Sequence, residues 1–164
     1  MRNRSLVVAA AAQLAVAAIL PIPPMLSYWL VDRATRRAAA AVPDEGWFID
    51  GYRGPSLFLY AVSSLAHVLV AVLVAALAVR LLRRRRPAPA AWAGPWLALC
   101  LVTCCSVANP ASSVNFGDPD GFGLVAGSYP GWLLPALITC WLATGGLALI
   151  NTAALRLARR LGNS

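Results

Sequence analysis

Residues 55–82 constrain the chain most. The run Pro-Ser-Leu-Phe-Leu-Tyr-Ala-Val-Ser-Ser-Leu-Ala-His-Val-Leu-Val-Ala-Val-Leu-Val-Ala-Ala-Leu-Ala-Val-Arg-Leu-Leu contains no acid, and its only base before the last turn is His67. About 20 apolar residues cross a bilayer as a helix, so this run is long enough. Arg83, Arg84, Arg85 and Arg86 follow at once. Four arginines cannot enter hydrocarbon cheaply, so they hold one end of the run in water and attract anionic lipid headgroups.

Three further apolar stretches repeat the theme, and together they predict an all-α, polytopic membrane protein. Its fold class is a four-transmembrane-helix bundle with a kinked first helix, forming one membrane domain over 1–164. Spans are expected at about 6–31, 55–82, 92–108 and 131–155. Between them lie a cytoplasmic loop at 83–91 and outer loops at 32–54 and 109–130. Only 12% of residues are charged, against about 25% in soluble domains. No folded soluble domain fits in what remains.

The first stretch also has the basic start and short apolar core of a signal peptide. No small-residue cleavage site directly follows that core; Pro21-Ile22-Pro23-Pro24 does, and apolar character resumes through Val31. Leu6 to Leu20 makes only about 22 Å of helix. Continuation to Val31 gives ample length, with a kink where the prolines lack donors.

In the first outer loop, Asp32 to Ala41 has good helix formers, and Arg33, Arg36 and Arg37 share one face. Pro43-Asp44-Glu45-Gly46 reads as a turn, and Trp47, Phe48 and Tyr52 suit the membrane–water boundary. In the second, Asp118-Pro119-Asp120-Gly121 reads as a plain turn; a calcium loop needs six or more oxygens at set spacing.

Charge sorts the topology. Arg2, Arg4, Arg80, Arg83 to Arg86, Arg156, Arg159 and Arg160 fall on one side if both termini share it, and Arg33, Arg36, Arg37 and Arg53 fall on the other. The positive-inside rule makes the richer side cytoplasmic. The expected location is the plasma membrane, multi-pass, with cytoplasmic N- and C-termini. All 14 basic residues are arginine. With the abundant alanine, this points to a GC-rich and so bacterial genome. Nucleic acid is not an expected partner, because the arginine run has no interleaved aromatics.

Few residues inside the spans could carry chemistry. His67 lies near mid-span, where an ionisable group is a functional candidate by default. Tyr60, Ser63 and Ser64 lie beside it and could assist catalysis; equally, they could hold a neutral structural imidazole. There is no second histidine and no carboxylate within any span, so no metal or cofactor is expected. Gln13 and Asn151 read as interhelical packing amides. Cys100 and Cys104 are separated by three residues, one more than the usual metal or redox pair. The thiols therefore read as small packing groups, although Cys100 and Cys140 fall at similar depth and could pair. Cys100, Cys104 and Ala108 make one small-residue ridge; Ala136, Cys140, Thr144 and Ala148 make another, continued by Thr152. Such ridges let helices approach closely in lipid, so spans three and four are expected to pack through them.

The leading functional expectation is non-enzymatic: binding to a membrane-protein partner, or self-association into a homo-oligomer. Transport of a small apolar solute past His67 is one alternative. An enzyme using His67 on a lipid-soluble substrate is another.

Overall fold

The computed structural model describes residues 1–41, 46–115 and 130–162. Those residues form five helices and, among them, no strand: α1 Arg2–Ile19, α2 Ile22–Ala41, α3 Gly46–Arg84, α4 Ala90–Asn115 and α5 Leu133–Arg160. Among the described residues, three helical stretches are long and apolar enough to cross a membrane: Arg2–Leu30 across the α1–α2 junction, Tyr60–Arg84 and Leu133–Arg160. Ala90–Cys104 is a shorter apolar helix.

The α1–α2 break follows from missing donors. Pro21, Pro23 and Pro24 cannot return i→i−4 bonds to the carbonyls of Ala17, Ile19 and Leu20. The Leu20 N–H still reaches the Val16 carbonyl at 3.0 Å, and the Met25 N–H reaches that of Pro21 at 3.3 Å. Leu20 and Pro21 form a turn, and Pro23 and Pro24 sit in the first turn of α2, where a missing donor costs little.

Two helices run further than the sequence pattern indicates. Residues 32–41 and 46–54, expected as loop, are helical. Between Val31 and Ala41 there is no breaker, and Arg36 Nε lies 3.0 Å from Asp32 Oδ2 one turn before it. Gly51, Gly54 and Pro55 are poor helix formers, but α2 packs extensively along α3, and tertiary packing outweighs propensity. At the other extension, α4 continues from Ala108 to Asn115. The expected turns at Pro43–Gly46 and Asp118–Gly121 fall wholly or largely outside the described residues.

At the end of α3, Arg85 takes a left-handed conformation (φ 52°) and its N–H closes on the Leu81 carbonyl at 2.9 Å. This is a helix stop usually made by glycine. The chain then turns through Pro87 and Pro89 into α4.

The core forms three layers along the bundle. At one end Leu6, Leu81, Ala91 and Leu155 pack together. This joins the start of α1, the end of α3, the start of α4 and the end of α5, so the arginine-bearing helix ends lie side by side. Val16, Leu20, Val74, Ala98 and Val102 fill the middle. Leu30, Leu133 and Leu137 close the far end. The most extensive helix pair is α1–α5, with α4–α5 also closely packed.

Gly94 and Gly146 separate packed from open surface. A Cβ on Gly94 would lie 3.2 Å from Leu77 Cδ1 and 3.5 Å from Val74 Cγ2, whereas one on Gly146 meets nothing within 4 Å. Gly94→Leu should therefore lower the thermal midpoint of the detergent-purified protein, by overpacking worth about 1–3 kcal/mol. Gly146→Leu should leave the monomer's midpoint unchanged. Equal midpoints for the two variants would contradict this α3–α4 contact.

Candidate functional site

His67 is 0% exposed. Its Nδ1 lies 2.7 Å from the Ser63 backbone oxygen, one turn earlier on α3. A carbonyl only accepts, so Nδ1 carries the hydrogen and donates it. In the neutral ring this contact fixes the tautomer and leaves Nε2 as an acceptor. Nε2 is buried and has no hydrogen-bond partner among the described residues. The Ser63 hydroxyl, at 3.5 Å from Nδ1, is at the limit of bonding distance.

The other expected members of this site lie on the same helix. Tyr60 is buried, and Ser63 and Ser64 are half-buried. Their spacing from His67 puts all four on one broad face. The structure thus brings Ser63 against His67 through its backbone rather than through its hydroxyl. A neutral imidazole in this state can accept one hydrogen bond at Nε2. Among the described residues no group of three or more His, Cys, Asp or Glu could hold a metal ion.

A second polar cluster joins three helices. Gln13 Nε2 donates to Asn151 Oδ1 at 2.9 Å and to the Ala91 carbonyl at 3.2 Å. Asn151 Nδ2 donates to the same carbonyl at 3.0 Å. Both amides are fully buried. The Ala91 carbonyl is available because the residue four positions on is Pro95, which has no N–H. Two donors from α1 and α5 therefore occupy the two lone pairs that α4 itself leaves open. Reversing the Gln13 amide would set its oxygen against two acceptors, so the orientation is determined by its partners. Gln13 Oε1 remains buried without a partner among the described residues.

The small-residue ridges are used unequally. On α5, Thr144 and Ala148 are buried, with Ala136 and Cys140 half-buried. The Thr144 hydroxyl donates to the Cys140 carbonyl at 2.8 Å. On α4, Cys100 and Cys104 are exposed. The face that α4 buries is instead Ala91, Gly94, Pro95, Ala98 and Val102. On this face Gly94 lies against Leu77 and Val74 of α3. The side chain of Ala108 lies outside the described residues. Cys100, Cys104 and Cys140 are free thiols, with no Cys100–Cys140 disulfide. On the rim of the α4–α5 contact, Trp96 Nε1 donates to the Thr152 hydroxyl at 3.0 Å. Arg83, Arg84, Arg85 and Arg86 are all exposed.

Sequence reasoning named Gln13 and Asn151 singly but missed that they meet at the Ala91 carbonyl. The available signal was Pro95 itself: a proline in a helix frees the carbonyl four residues before it. No family model, curated protein or solved structure matches the chain.

Asn151→Leu should cost about 1–2 kcal/mol of detergent stability, the range for interhelical hydrogen bonds between apolar helices. In a Pro95→Ala background, residue 95 supplies its own N–H to Ala91 and the penalty should shrink to less than half. A double-mutant cycle on thermal unfolding measures the difference; strictly additive effects would exclude the freed-carbonyl account.

Proposed function

We propose that this chain is an integral membrane protein of four membrane-crossing segments, with the arginine-rich end and both termini cytoplasmic. It acts by lateral association with a membrane-protein partner or with further copies of itself. The support for the membrane setting is an inverted distribution of polarity. Gln13, Ser27, His67, Thr144 and Asn151 are buried, while Leu65, Leu69, Val72, Leu142 and Leu149 are exposed. Soluble monomers rarely expose continuous apolar surface on this scale. Lipid solvates it without cost, and polar groups are then best placed between helices.

One observation carries the association reading. The interior polar side chains bond within the protein: Gln13 and Asn151 tie α1, α4 and α5 together at Ala91, while His67 and Thr144 bond back to Ser63 and Cys140 on their own helices. His67, the main candidate for chemistry, is closed off from its surroundings. What the protein offers to other molecules is therefore its outer surface.

The bare Nε2 of His67 favours a second reading, transport or catalysis on a small apolar molecule bearing a donor hydroxyl. Native mass spectrometry of the tagged protein, taken from its own membrane in mild detergent, separates the two. Stoichiometric protein companions or a discrete homo-oligomer are expected, and His67→Ala should keep them. A monomer carrying a bound small molecule that His67→Ala releases would replace the association reading with the second. For orientation, tags at both termini should resist protease added to intact cells; digestion of both would reverse the topology.

A further inference from the structure

The end of α5 and the α3–α4 connection enclose an open groove of about 800 Å³ lined by Pro87, Pro89, Trp92, Arg156, Arg159 and Arg160. The three arginines share one face of α5 by their i, i+3, i+4 spacing. All three side chains are exposed, and none has a carboxylate partner among the described residues. The sequence explains why. Its six acids are Asp32, Asp44, Glu45, Asp50, Asp118 and Asp120, so none lies on α5 or in the connection. Among the described residues the groove is therefore a concave cationic surface without a counter-charge. Half-buried Trp92 packs against the core layer at this end of the bundle, so the floor of the groove is fixed. Two prolines stiffen its opposite wall.

We propose that this groove is a binding site for the phosphate headgroup of an anionic phospholipid. The inference rests on the membrane reading and adds to it a defined lipid site. Guanidinium groups pair with phosphate oxygens in bidentate fashion. Tryptophan favours the headgroup level, and the groove stands at the helix ends, beside the first core layer. Arg83, Arg84 and Arg85 are exposed at the end of α3 in the same region, yet none of them lines the groove. They attract an anionic surface; Arg156, Arg159 and Arg160 hold a single headgroup.

The test is native mass spectrometry of the full chain in neutral detergent after incubation with phosphatidylglycerol. A neutral micelle offers no anionic surface, so lipid that remains is held by a site. The wild-type protein should retain phosphatidylglycerol and not phosphatidylcholine. Each charge-assisted hydrogen bond is worth about tenfold in affinity, so R156Q/R159Q/R160Q should lose at least that much occupancy. R83Q/R84Q/R85Q makes the same change of charge and should stay within about twofold, since it removes no such bond. Equal loss in both triple variants would reduce the effect to diffuse attraction and overturn the site. Displacement of the lipid by millimolar inorganic phosphate would make it a free-anion site and also overturn the proposal. Circular dichroism of each variant checks that the helices persist. Alkaline carbonate extraction tests the underlying reading separately: a protein that stays in the pellet but retains no lipid refutes the groove alone, whereas extraction refutes membrane insertion.

Discussion

The Ala91 carbonyl is the point on which the arrangement of helices depends. Pro95 removes the donor that α4 would have returned to it. A buried carbonyl left without a partner costs about 1–3 kcal/mol. Two amides from elsewhere in the chain, Gln13 on α1 and Asn151 on α5, meet it instead. Apolar packing between helices tolerates sliding and rotation; three hydrogen bonds at one locus do not. The cluster fixes the depth and rotation of α1, α4 and α5 together, next to the layer built from Leu6, Leu81 and Leu155.

The prolines of this chain therefore work in two ways. Pro21, Pro23 and Pro24 free carbonyls at the α1–α2 junction, and the chain responds by starting a new helix at Ile22. Pro95 frees one carbonyl near the start of α4, the helix continues, and other helices supply the donors. α3 and α4 also continue through Pro55 and Pro110, so a single missing donor does not end a helix here, whereas the chain breaks where three prolines fall within four residues. His67 resolves its polarity differently again, by turning Nδ1 back to its own helix. That leaves Nε2 as a latent acceptor in the core.

Much of the fold was legible in the sequence because lipid-scale apolar runs are a strong pattern. The run 55–82 is recovered within α3, and residues 131–155 lie almost wholly within α5. The limits were less legible. The turn residues at 43–46 and the boundary aromatics Trp47, Phe48 and Tyr52 marked 46–54 as loop, but α3 is already helical from Gly46. The candidate site was legible as a list and not as an arrangement. Tyr60, Ser63, Ser64 and His67 could be read onto one helix face; the imidazole's choice of the Ser63 backbone oxygen could not. Cys100 and Cys104 show the limit of ridge patterns. Spacing identifies a small-residue face but not which face a neighbour covers, and α4 leaves this one exposed.

By itself the sequence determined helical class, the break at Pro21–Pro24 and the clustering of arginines at particular helix ends. These follow from local chemistry: apolar run length, missing donors and charge. Tertiary structure alone decided that Gln13 and Asn151, 138 residues apart, meet at one carbonyl. It alone gathered Trp92 and the arginines of α5 around one groove. Such contacts depend on the rotation of each helix about its axis. Rotation is set by the sum of packing and hydrogen bonding with every neighbour, which no single stretch of chain contains.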